Sequence, residues 1–138
     1  MNLRVLPLIA LGGTTLLSSC STAPYAEAPM SPKAQQELAQ ALAGRTAGPA
    51  VRCLPSHRAT QMDIIDHRMT LYREGRTIYA QSFRDGCRGL GTGRYTMVTR
   101  QFGTNRLCDG DITRLVDLST GVEGGSCVFG PFIPYNRL

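Results

Sequence analysis

Residues 69–81 read Met69-Thr70-Leu71-Tyr72-Arg73, then Glu74-Gly75, then Arg76-Thr77-Ile78-Tyr79-Ala80-Gln81. Two extended runs flank a two-residue turn carrying Gly, which is the pattern of a β-hairpin. Met69 and Leu71 alternate with Thr70 and Tyr72, so the first strand has one inward and one outward face. The same reading places further strands at Ala59–Ile64, Tyr95–Arg100 and Asp111–Val116. Cys127–Ile133 is expected to add an edge strand, because Pro131 and Pro134 limit its pairing. Turn signals recur at Asp85-Gly86, Gly103-Thr104-Asn105, Asp109-Gly110 and Glu123-Gly124-Gly125. Short strands at this spacing predict an all-β domain, a small disulfide-stapled barrel or sandwich.

That domain is expected over residues 51–138, since eight of the nine aromatics lie from Tyr72 onward. Upstream, Ser31 is a good N-cap, Pro32 suits the first helical turn and Gly44 suits the C′ position. A short helix is therefore predicted over 31–43, with Leu38 and Leu42 four residues apart on one face. Residues 20–30 hold small residues and two prolines, a tether composition. The whole stretch 20–50 reads as tether plus helix.

The first nineteen residues have the layout of an export signal. Arg4 supplies positive charge, and the apolar stretch Val5–Leu17 is too short to span a bilayer. It ends in Leu17-Ser18-Ser19-Cys20, which resembles a bacterial lipobox. The resemblance implies cleavage before Cys20, lipid on its thiol and acylation of the new amino terminus. Two or more acyl chains anchor stably, each buried CH₂ contributing about 0.8 kcal/mol. Ser21 stands where Asp would resemble an inner-membrane retention signal, so the expected address is the outer membrane, facing the periplasm.

Length and charge narrow the function classes. At 138 residues the chain holds one modest domain, too small for a P-loop ATPase, a full Rossmann domain or a TIM barrel. A net charge of +5 suits an anionic envelope component or serves solubility, and the exported address argues against nucleic acid.

With Cys20 assigned to lipid, Cys53, Cys87, Cys108 and Cys127 remain, an even number that reads as two disulfides in an oxidising compartment. No C-x₂-C pair occurs, which argues against zinc. Cys53–Cys127 with Cys87–Cys108 is the preferred pairing, tying the domain's ends and closing one hairpin segment. Cys53–Cys87 with Cys108–Cys127 is its rival.

Candidate chemistry is sparse. His57, Asp63, Asp66 and His67 are the one local cluster of metal-ligand types, but their spacing fits turns and surface better than a site. Asp109, Asp111 and Asp117 lack the loop spacing and closing Glu of an EF-hand. Gly89-Leu90-Gly91-Thr92-Gly93-Arg94 is followed by a strand pattern, not the helix a dinucleotide fingerprint needs. No G-x-S-x-G elbow occurs. No catalytic residue, metal or cofactor is assigned. Arg84, Arg88, Arg94 and Arg106 are the best binding feature, with Arg100 and Arg114 beside them. Several flank cysteine-bearing loops, and the guanidinium fork suits phosphate and carboxylate.

Cys53-Leu54, Ile65-Asp66-His67-Arg68, Cys87-Arg88-Gly89-Leu90, Leu107-Cys108-Asp109-Gly110-Asp111 and Gly124-Gly125-Ser126-Cys127 together resemble a family of small proteobacterial envelope proteins of unknown function. The resemblance implies the four-cysteine scaffold and a periplasmic setting. It brings no activity. The expectation is a non-enzymatic, outer-membrane-anchored structural or binding module whose partner is an anionic envelope component or a periplasmic protein. Two alternatives stand beside it: a periplasmic inhibitor of a secreted enzyme such as lysozyme, and a small metal-dependent hydrolase using His57 or His67. The first lacks Trp and suits a basic enzyme poorly, given the positive balance.

Overall fold

The computed structural model describes residues 29–55, 61–100 and 105–137. The expected export signal, Cys20, His57 and the turn residues Gly103 and Thr104 lie outside the described residues. Among the described residues one helix, α1 (Pro32–Leu42), precedes seven strands: β1 (Arg45–Ala47), β2 (Gln61–Ile64), β3 (Met69–Glu74), β4 (Thr77–Phe83), β5 (Tyr95–Thr99), β6 (Ile112–Asp117) and β7 (Glu123–Arg137). All pairings are antiparallel, in the order β2-β3-β4-β7-β6-β5 with β1 on β7. The sheet curls into a half-barrel, so the chain is the disulfide-stapled, mostly β protein its patterning predicts. No helix among the described residues is long and apolar enough to cross a membrane.

The central hairpin forms where expected, with its turn one residue later. Glu74 pairs with Thr77, leaving Gly75-Arg76 as the turn. Gly75 has φ +55° and Arg76, like every described non-glycine residue, has no positive φ, which is the type II′ arrangement that favours Gly at the first turn position. The last hairpin turn is also displaced. Glu123-Gly124-Gly125 lies within β7, and the turn falls at residues 118–121. Gly124 is needed in the strand because the Tyr95 ring lies directly against it, leaving no room for a Cβ.

The strand expected at Cys127–Ile133 is longer and is not at an edge. β7 runs 15 residues between β4 and β6. Its N-terminal half pairs with β6, while its C-terminal half lies between β4 and β1. Both prolines avoid the need for a ladder donor. Pro131 lies in the irregular stretch between the Gln81–Phe132 and Phe83–Phe129 pairs. The Pro134 carbonyl accepts from Gly48 N–H at 2.8 Å, so its missing donor faces Gly48 and not β4.

Both faces of β3–β4 are buried, and the inward–outward reading of Met69–Tyr72 needs correction accordingly. Tyr72 packs inside the half-barrel with Phe83, Leu115, Phe129 and Phe132. Phe83 and Phe129 have ring centroids 5.3 Å apart, and Tyr72 meets Phe132 edge-on at 6.0 Å. Burial pushes the Tyr72 phenol up to about 12, partly offset by its hydrogen bond with Thr70. On the opposite face, Leu71, Ile78 and Ala80 are covered by Leu38, Ala41 and Leu42 of α1. The helix starts as read, with Ser31 Oγ accepting from Ala34 N–H at 3.2 Å and Pro32 in the first turn. The folded body thus begins before Val51. Residues 32–47 dock on the sheet because the outer face of β3–β4 is apolar and β1 pairs with β7.

All four predicted disulfide cysteines are paired, but in neither favoured arrangement. The bonds are Cys53–Cys108 and Cys87–Cys127. The preferred Cys53–Cys127 and Cys87–Cys108 pairs assumed that cysteines tie the domain's ends, a task done instead by β1 on β7. Cys53 lies against Cys108 because Leu54 N–H donates to Leu107 O (2.9 Å) and Asp109 N–H donates to Arg52 O (2.7 Å). Cys87 is held by its N–H donating to His67 O, with its Cα 5.2 Å from that of Cys127.

Candidate functional site

Arg84 follows β4, and its guanidinium donates to Asp109 Oδ1 from Nη2 at 2.7 Å and from Nε at 3.2 Å. Arg94 precedes β5. Its Nε donates to Asp117 Oδ2 at 2.7 Å, and its guanidinium carbon lies 5.5 Å from the Tyr95 ring centroid. Arg114 on β6 donates to Glu123 Oε1 at 2.7 Å. Arg88 and Arg106 are exposed beside Cys87 and Leu107. Arg84 and Arg94 therefore serve two separate ion pairs, each clamping a turn.

Among the described residues, the acidic candidates and His67 lie in turns, bends or ion pairs. Asp63 on β2 accepts from Arg73 Nε at 2.8 Å. Asp66 Oδ1 accepts the N–H groups of Arg68 (2.8 Å) and Met69 (3.1 Å), bending the chain into β3. Its Oδ2 is buried without a hydrogen-bond partner, 4.0 Å from His67 Nδ1. These two residues border a cleft of about 430 Å³ with Ser31, Lys33, Leu90 and Gly91. Asp111 Oδ2 accepts Cys108 N–H at 2.8 Å. Asp117, nearly buried, accepts from Ser119 N–H, Ser119 Oγ, Thr120 N–H and Arg94, which hold its carboxyl well below the usual carboxylate range. Among the described residues no three His, Cys, Asp or Glu side chains gather as a metal site would require.

A different region has the character of a binding surface. The outer face of β5–β6 carries a groove of about 370 Å³ lined by Val98, Arg100, Gly110, Asp111, Ile112 and Arg114. Val98 and Ile112 are 44% and 59% exposed, large apolar side chains on an uncovered sheet face. The register sets Val98 directly beside Arg114. α1 covers the outer face of β3–β4 and not this one. The signal was present in the alternation: Val98 and Ile112 stand on the face opposite Met97 and Leu115, which point to the core.

No protein-family model, curated protein sequence or solved structure matches the chain.

Proposed function

We propose that the chain is an outer-membrane lipoprotein, held by acylated Cys20, whose disulfide-stapled half-barrel is a non-enzymatic binding module facing the periplasm. One observation carries this reading. Of five cysteines, four are consumed by Cys53–Cys108 and Cys87–Cys127, and the fifth is the Cys20 of Leu17-Ser18-Ser19-Cys20. Structural disulfides persist in oxidising compartments, which agrees with an export signal. The likeness to small proteobacterial envelope proteins points the same way. A partly apolar groove that carries Arg100 supports binding over chemistry.

The address is tested by growing expressing cells with radiolabelled palmitate and fractionating their membranes. The expected result is a labelled protein in the outer-membrane fraction, with label and membrane association both lost in Cys20→Ala. Unlabelled protein, or label that persists in Cys20→Ala, contradicts it.

A further inference from the structure

We propose that the outward edge of β5, with the groove beside it, takes an extended acidic segment of another protein as an added antiparallel strand. The proposal deepens the binding-module reading and rests on it. β5 ends the strand order, with β6 its one neighbour. Leu118 N–H donates to Arg94 O at 2.9 Å, in line with the Tyr95–Asp117 to Thr99–Thr113 register. Bonded and non-bonded pairs alternate along an antiparallel ladder. Thr96 and Val98 therefore bond toward β6, while Tyr95, Met97 and Thr99 direct their N–H and C=O groups outward. Among the described residues, no backbone bond reaches those three from any other segment.

Natural edge strands are usually guarded by charge, proline or a bulge. Tyr95-Thr96-Met97-Val98-Thr99 has none of these. The opposite edge, β2, is four residues long and carries Asp63 in an ion pair with Arg73. β5 is thus the open template, and strand addition draws its affinity from main-chain bonds and its specificity from alternate side chains.

The groove defines those side chains. Val98 and Ile112 offer apolar contact, and Arg100, with no ion pair among the described residues, stands at the strand's end. Arg114 is already paired with Glu123, and the groove's one carboxylate, Asp111, accepts Cys108 N–H, which leaves Arg100 as the cation that faces a partner. A segment with β-branched residues opposite Val98 and a carboxylate opposite Arg100 matches both. A second copy of the chain matches less well, because it brings another net positive charge to the same surface.

The test uses the full chain in detergent and the peptide fluorescein-aminohexanoyl-Glu-Thr-Val-Thr-Val-Thr-Glu-amide, read by anisotropy. Saturable binding is expected, weakened about fivefold by Arg100→Glu. That variant should in turn prefer the peptide with Lys at both ends. N-methylation of one alternate set of peptide amides should abolish binding, and of the other set should leave it. Three results would overturn the proposal: no saturable binding up to millimolar peptide, equal sensitivity to both methylation sets, or sedimentation showing a dimer built through β5 that peptide does not dissociate. None of these alters the palmitate label, so failure here and failure of the anchored-lipoprotein reading are distinguishable.

Discussion

At the scale of single residues, Asp117 shows how a short polar side chain replaces a designed turn. It ends β6 with its side chain 5% exposed and spends both oxygens at once. Oδ1 takes the N–H groups of Ser119 (2.8 Å) and Thr120 (3.2 Å) with the Ser119 hydroxyl, and Oδ2 takes Arg94. Because these donors favour the ionised form, its folded pKa lies below the unfolded value of about 3.9. The sign follows: its stabilisation is fully present above about pH 4 and is lost as pH falls from there toward the folded pKa. Urea unfolding of Asp117→Asn beside the native chain should show a stability gap that narrows below about pH 4. Parallel pH profiles would contradict this.

At the scale of elements, α1 and β7 decide the architecture. Leu38 and Leu42 were legible as a helical stripe, but what they cover was not, because Leu71, Ile78 and Ala80 face them from about 30 to 40 residues away in sequence. Replacing both leucines with Ser should remove about 2 kcal/mol and raise amide exchange through Pro32–Leu42. Unchanged exchange would show that the helix does not depend on the sheet. β7 was legible only in part, since Pro131 and Pro134 read as edge markers. Their harmless placement depends on an irregularity opposite Ser82 and on Gly48 across the strand, both long-range features. The same limit hid the arginine partners. Arg84–Asp109 and Arg94–Asp117 join residues 25 and 23 apart, so loop position alone made these side chains look available.

At the scale of the whole molecule, disulfide topology records which distant segments the half-barrel brings together. Four cysteines behind an expected export signal were readable as two bonds, and the central hairpin and capped helix were readable from local chemistry. The pairing was not, because it depends on β1 closing on β7 and on residues 52–54 running antiparallel to residues 107–109. By chain entropy, closing loops with separations of 55 and 40 residues contributes about 4 kcal/mol each. The face proposed for binding was half legible: alternation separated Val98 and Ile112 from the core, but only the position of α1 left their side of the sheet uncovered. With the proposed acyl anchor on Cys20, the ten residues before Ser31 would let the folded body stand at most about 35 Å from a membrane.

Intact mass with non-reducing peptide mapping of protein purified from bacterial membranes tests the central claim most directly. The expected result is acyl chains on Cys20, with disulfide-linked peptides joining Cys53 to Cys108 and Cys87 to Cys127. An unmodified Cys20, free thiols at the other four, or a Cys53–Cys127 peptide would contradict it.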